Sequence, residues 1–162
     1  MLNKLNEAIS CRALFFIIAF YIGLWTIRIP TIKDQLHTDY VGIGYILATF
    51  AFGSILVMIF ANKILKKFSS KITISFSGIM QGALWLIVPF ITDLKIFMIF
   101  SFIFGLCYGI FEVAINLQAS NLEKKEKKSM MSGFHAFFSL GLLSGSLCTS
   151  ILLGLDISFF SN

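Results

Sequence analysis

The sequence has little charge and few residues that break or cross-link a fold. Asp, Glu, Lys and Arg make up 13% of its 162 residues, and it has two prolines and three cysteines. Soluble domains carry about 25% charged residues, so a chain with 57% apolar residues lacks the polar surface that water requires. The isolated cysteines exclude a disulfide scaffold, and no Cys/His spacing indicates a metal or a cofactor. An integral membrane protein remains, with the lipid bilayer as its partner.

Long apolar runs, separated by charged or turn-forming residues, predict five membrane-spanning helices. A lipid-exposed backbone must satisfy its own hydrogen bonds, so each run is expected to be helical. Spans of about 20 residues use most of the chain and leave short loops. The predicted spans are 13–29, 41–61, 72–91, 96–120 and 130–155. The sequence predicts an all-α integral membrane fold.

The basic residues predict an orientation. Ten of the 13 lie at the amino end, in the second connection or in the fourth connection. Because basic loops stay on the cytoplasmic side, we expect a multi-pass inner-membrane protein with its amino terminus inside and its carboxy terminus outside. The positive charge thus serves topology, and without interleaved aromatic residues it does not indicate a nucleic-acid partner.

The sequence also contains a weak internal repeat. Phe50-Ala-Phe-Gly53 and Phe138-Ser-Leu-Gly141 are similar at an offset of 88, which also aligns Arg28 with Asn116. This register is expected if helices one to three and four to six form inverted repeats, as in many transporters.

The fourth span carries a polar stripe. Ser101, Gly105, Tyr108, Glu112 and Asn116 follow spacings of three and four, which place them on one helical face. Glu112 is the single acid within the five predicted spans. A carboxylate inside a membrane is costly unless it is paired, protonated or wet, so it is a candidate proton carrier. The alternative is a neutral Glu hydrogen-bonded to a neighbouring helix.

The fifth span carries a second stripe that includes Ser132, His135 and Ser139. Glu112 and His135 are equally far from the centre of the connecting turn, so we expect similar depths in the membrane. Such a pair could relay protons. The alternative is a core histidine satisfied by a serine or a carbonyl.

Tyr21, Trp25 and Arg28 follow one another at the end of the first span. They are either interfacial anchors or the mouth of a cavity that attracts an anionic or polyhydroxyl solute. Three Gly-x3-Gly steps, which begin at Gly78, Gly105 and Gly141, allow helices to approach closely.

Three segments resemble the major facilitator superfamily, in particular its fucose-permease-like and uncharacterised bacterial inner-membrane branch. They are GLWTIRIP at 23–30, GLCYGIFEVAIN at 105–116 and MSGFHAFFSLG at 131–141. The resemblance covers the first five of the family's twelve helices, so the chain is expected to be the amino-terminal part of that fold, without the sixth helix.

The resemblance implies transport of a small solute by alternating access, coupled to protons. It assigns proton coupling to Glu112 and matches Asn116 to the asparagine that follows this carboxylate, while the relay role of His135 rests on its expected depth alone. Together with the polar stripes, it gives the expected cavity set of Tyr21, Trp25, Arg28, Tyr108, Asn116 and Ser139. Thr26 stands where the fucose permease has an acidic residue, so the resemblance does not identify the solute.

We expect this chain to be a truncated fragment, inactive without a missing carboxy-terminal half. The alternative is a self-contained five-helix protein that acts through homo-oligomerisation or a partner half. An enzyme is not expected, because no nucleophile–base pair, metal cluster or phosphate loop is present in the sequence.

Overall fold

A computed structural model describes residues 2–155, with side chains described from residue 6. Within that range the chain forms five α-helices and one short 3₁₀-helix, and no strand. The α-helices are α1 (Leu2–Gln35), α2 (Tyr40–Lys67), α3 (Ser70–Trp85), α4 (Leu94–Glu126) and α5 (Met131–Gly154), and the 3₁₀-helix is Val88–Phe90. All five α-helical segments are long and apolar enough to cross a membrane. The all-α membrane fold predicted from the sequence is confirmed.

Most helices extend beyond the predicted apolar spans, because backbone hydrogen bonding continues after the apolar residues end. α1 continues through Pro30 to Gln35, and α4 continues to Glu126. Residues 121–126, which lie between the predicted fourth and fifth spans, are therefore the last turns of α4. The third span is divided, since α3 ends at Trp85 and Pro89 lies in the separate 3₁₀-helix.

The helices form two compact units. The first contains α1 up to Arg28, α4 from Ile115 onward, and α5. The second contains residues Ile29–Ala114, which include α2, α3 and the first two-thirds of α4.

In the first unit, α1 packs against α5 through rings and glycines. The rings of Phe15 and Phe134 stack with centroids 5.7 Å apart, and both side chains are buried. A Cβ at Gly141 would collide with the carbonyl oxygen of Phe16, and one at Gly145 would collide with that of Phe20. The missing side chains let the two backbones touch, which is how helices gain van der Waals contact where lipid removes the hydrophobic driving force.

In the second unit, α2 packs against α4 in the same manner. A Cβ at Gly105 would collide with the carbonyl oxygen of Phe50, and one at Gly109 would lie 2.7 Å from that of Ser54. The Ser101 hydroxyl donates a hydrogen bond to the carbonyl oxygen of Ile46, 2.8 Å away. Two of the three Gly-x3-Gly steps therefore serve packing within the chain.

The two units repeat one another in their internal contacts. Gly53 of α2 meets the carbonyl oxygen of Phe102 on α4, and Gly141 of α5 meets that of Phe16 on α1. Gly141 follows Gly53 by 88 positions, as the sequence comparison expects, whereas Phe102 follows Phe16 by 86.

A second pair of contacts follows the same rule. Gly109 of α4 meets the carbonyl oxygen of Ser54, and Gly23 of α1 meets that of Leu142. Gly109 again follows Gly23 by 86 positions, and Leu142 follows Ser54 by 88. The contacts thus support the repeat, but they align Arg28 with Ala114 instead of Asn116.

Candidate functional site

The polar stripe of α4 has two parts with different surroundings. Ser101 and Gly105 are buried in the packing against α2, where the Ser101 hydroxyl satisfies a backbone carbonyl. Tyr108, Glu112 and Asn116 follow on successive turns and are half-buried. The stripe therefore becomes accessible only at its carboxy-terminal part, which carries the three side chains able to bind a solute or a proton.

Tyr108 and Glu112 lie in the second unit. The Tyr108 ring packs against the Phe50 ring, with centroids 5.3 Å apart, so α2 holds the phenol in place. Glu112 lies one turn further along α4, flanked by the buried side chains of Phe111 and Ala114. α4 thus carries a half-buried carboxylate among apolar side chains, and in such an environment gain or loss of a proton changes the electrostatic energy strongly.

The predicted cavity residues of α1 lie in the first unit. Tyr21 and Trp25 are half-buried, and Arg28 is 9% exposed. A buried guanidinium is expensive in an apolar environment unless polar groups surround it. The role of Arg28 at the cavity mouth stays a prediction.

His135 and Ser139 lie on consecutive turns of α5, also in the first unit, and both are exposed. The His135 ring contacts the edge of the Phe15 ring, with centroids 5.4 Å apart. Ser139 donates its hydroxyl to the backbone carbonyl of His135 over 3.2 Å, so its hydrogen bond is local to the helix. The relay between Glu112 and His135 stays a prediction.

α3 carries a buried polar stripe that was not predicted from the sequence. Thr73, Ser77 and Gln81 are 6%, 1% and 1% exposed, at spacings of four residues. Ser77 donates to the carbonyl of Thr73 over 2.6 Å, and the Gln81 amide donates to that of Ser77 over 3.3 Å. In the described chain, the Thr73 hydroxyl and the Gln81 side-chain oxygen have no hydrogen-bond partner. The spacing of four residues between these polar side chains could have revealed the stripe in the sequence.

A second missed residue is Gln35, at the end of α1. Its amide nitrogen donates to the carbonyl oxygens of Val88 and Ile91, over 2.9 and 2.7 Å, and therefore ties the end of α1 to the 3₁₀-helix. No spacing rule links these positions, which are more than 50 residues apart. Only the folded chain reveals the contact.

None of these groups forms a metal site. Among the side chains of residues 6–155, no three of His, Cys, Asp or Glu lie close enough together to hold a metal ion. The side chains that the structure offers are a carboxylate, a guanidinium, an amide, an imidazole, a hydroxyl and aromatic rings. This set suits hydrogen bonding to a polar solute and proton exchange.

Comparison with known proteins gives consistent matches. The profile of the Major Facilitator Superfamily matches residues 11–161. An uncharacterized MFS-type transporter of Yersinia pestis is 29% identical over 157 residues, which cover 95% of this chain and 40% of that protein. An uncharacterized transporter of Sinorhizobium fredii is 26% identical, over 82% of this chain and 35% of its own length. The membrane protein MosC of Rhizobium meliloti is 27% identical, over 85% of this chain and 34% of its length.

No solved structure gives a significant match. The chain spans two-fifths or less of the length of the three relatives. The family profile nevertheless covers nearly all of this chain, and the five apolar helices agree with it. The chain is therefore a multi-pass membrane protein that belongs to the major facilitator superfamily.

Proposed function

We propose that this chain is the amino-terminal part of a transporter that moves a small polar solute by alternating access, coupled to protons. Glu112 is the proton-coupling residue, with His135 as its relay partner. Tyr21, Trp25, Arg28, Tyr108, Asn116 and Ser139 contribute to the solute cavity. The fucose-permease-like branch is the assignment that the segment at 105–116 favours.

The observation that carries the proposal is the placement of Glu112. It is half-buried on a helix whose neighbouring turns present Tyr108 and Asn116, and no other acid lies between Asp93 and Glu123. A half-buried carboxylate in an apolar span is energetically costly. A neutral polar side chain could fill a purely structural role without this cost. Loading and unloading of a proton explains why this residue is an acid.

We infer that transport needs segments beyond those described here. The three relatives are all more than twice as long as the matched part. Alternating access requires a second half that rocks against the first around a central site. We therefore expect this chain alone to show no uptake, and we expect its basic connections and amino terminus to face the cytoplasm.

A hybrid protein tests the proposal. This chain replaces the matching two-fifths of the Yersinia pestis relative, and cells expressing the hybrid receive a panel of sugars and other small polar solutes. A coupled solute should alkalinise a lightly buffered medium as it enters. Glu112→Gln should abolish this alkalinisation and solute accumulation but retain exchange of preloaded solute.

Asp34→Asn is the matched control, since it removes the same charge from an exposed side chain at the end of α1. It should leave coupled uptake unchanged. Undiminished accumulation by the Glu112→Gln hybrid would remove the coupling role. Uptake by the 162-residue chain alone would contradict the need for further segments.

The packing of the glycines bears on the alternative of a self-contained five-helix protein that acts through homo-oligomerisation. Gly-x3-Gly faces can mediate association between chains, but the steps at Gly105 and Gly141 already contact α2 and α1 of the same chain. These glycines are therefore not free to form a homo-oligomer interface.

A further inference from the structure

An open apolar groove lies in the second unit, where α2, α3 and α4 meet. Ile64 and Phe68 line it from the end of α2, Ile72 and Phe76 from the start of α3, and Ile110 from α4. Its volume is about 430 Å³, within the range of roughly 300–1,000 Å³ typical of ligand sites. We call this the α2–α3 groove. Its walls suit a hydrocarbon occupant.

The rim of the groove is strongly basic. Lys67 closes α2 and Lys71 lies in the first turn of α3, and both are exposed. The Lys67 ammonium lies 5.4 Å from the ring centroid of Phe68, which itself lines the groove. Lys63 and Lys66 add to this charge, and the sequence has no acid between Asp39 and Asp93 to neutralise it.

One further feature makes the same end of the groove attractive to an anion. The amino terminus of α3 has no acidic residue in its first turn, so no side-chain charge offsets its partial positive charge. The Ser69 hydroxyl accepts a hydrogen bond from the Ile72 N–H there, but it brings no charge. Positive charge thus borders an apolar groove.

We propose that the α2–α3 groove binds an anionic phospholipid. One acyl chain lies along the isoleucine and phenylalanine side chains, and the headgroup phosphate lies between Lys67 and Lys71 at the start of α3. Basic pockets between membrane helices recognise anionic headgroups through this combination. The site is separate from the proposed solute cavity and does not depend on transport activity.

Native mass spectrometry of retained lipid tests the proposal. The full chain is reconstituted in bilayers of equal phosphatidylglycerol and phosphatidylcholine and then released into mild detergent. We expect phosphatidylglycerol to be retained in preference to phosphatidylcholine. Lys67→Gln with Lys71→Gln should reduce this preference by about fivefold per lysine, because each substitution removes a charge contact of about 1 kcal/mol with the headgroup phosphate.

A matched charge control separates a site from general attraction to the surface. Lys124→Gln with Lys128→Gln removes two exposed lysines, one from the last turn of α4 and one from the connection to α5. This pair should leave the preference unchanged. An equal loss in both double variants would overturn the proposal, because it would show attraction to the surface only.

A second pair of variants tests the acyl chain. Ile72→Trp narrows the groove from its rim, whereas Ile79→Trp enlarges an exposed residue on the same helix outside the groove. Only Ile72→Trp should lower retention of phosphatidylglycerol, and both variants should keep wild-type helix content by circular dichroism. Unchanged retention of phosphatidylglycerol in Ile72→Trp would overturn the proposal. A dimer of the wild-type chain that Ile72→Trp abolishes would also overturn it, because a second copy of the chain would then occupy the groove.

Discussion

Gly53 on α2 lies so close to Phe102 on α4 that an added Cβ would overlap the carbonyl oxygen of Phe102. The same relationship joins Gly141 on α5 to Phe16 on α1. Each contact brings two helix backbones together without a side chain between them. The repeat in this protein is therefore a repeat of backbone contacts, and short sequence matches report it only weakly.

Adding a methyl group at these glycines should destabilise the protein. Gly53→Ala and Gly141→Ala are each expected to cost about 1–3 kcal/mol of unfolding free energy, because a backbone must move to make room. Equilibrium unfolding in mixed micelles measures the change.

Gly44→Ala and Gly133→Ala are the controls for these two substitutions. They add the same methyl group to α2 and to α5 where nothing lies within 4 Å. We expect them to be neutral or stabilising by up to about 1 kcal/mol, since alanine favours the helix. Equal destabilisation at all four positions would contradict the packing role.

Removing the Glu123 carboxylate should loosen the start of α5. One oxygen of Glu123 accepts hydrogen bonds from the N–H groups of Met130 and Met131, over 2.5 and 2.7 Å, and Met130 provides no side-chain cap. Glu123→Ala should cost about 0.5–2 kcal/mol, as for other helix caps. Hydrogen exchange of residues 130–134 should accelerate.

Lys124→Ala is the control for that experiment, because Lys124 is the exposed neighbour of Glu123 on the same helix. It should leave exchange at the start of α5 unchanged. Slow exchange maintained in Glu123→Ala would show that the cap contributes nothing.

Gln35→Glu should release the 3₁₀-helix from the end of α1. The amide donors that hold the carbonyls of Val88 and Ile91 would become acceptors, so attraction would change to repulsion. The loss should be about 1–3 kcal/mol for the carbonyls left unsatisfied. Limited proteolysis should then cut within residues 86–93 more rapidly, whereas Asp34→Asn should not change the rate.

Asn116→Ala should separate solute binding from coupling. In the hybrid transporter we expect a higher KM for the solute, by about tenfold for a lost hydrogen bond in the cavity. Protons moved per solute should stay unchanged, unlike in Glu112→Gln. Measured uptake against solute concentration, together with alkalinisation, distinguishes the two. A lost proton signal in Asn116→Ala would reassign Asn116 to coupling.

The fold was accessible from the sequence wherever the physical signal is local. Each apolar span predicts a helix through its own hydropathy, and this property does not depend on any partner. The helix ends were harder to predict, because α4 continues past its apolar residues to Glu126 and α1 continues through Pro30. Backbone hydrogen bonding persists there although hydropathy has changed.

The candidate site divides in the same way. Glu112 could be identified from the sequence, since a single acid in an apolar span is conspicuous. Ser101 lies on the same stripe of α4 as Glu112. In the structure, however, Ser101 packs against α2, where its hydroxyl donates to a backbone carbonyl. The buried stripe on α3 was overlooked because serine, threonine and glutamine carry no charge to mark them.

By itself, the sequence determined that this is a five-helix membrane protein with one acid in its spans, because hydropathy and charge are properties of single residues. Tertiary structure alone decided which carbonyl each glycine meets, that Gln35 holds Val88 and Ile91, and that an apolar groove forms where α2, α3 and α4 meet. These contacts join residues distant in the chain or on different helices, and their geometry exists only once the helices have packed.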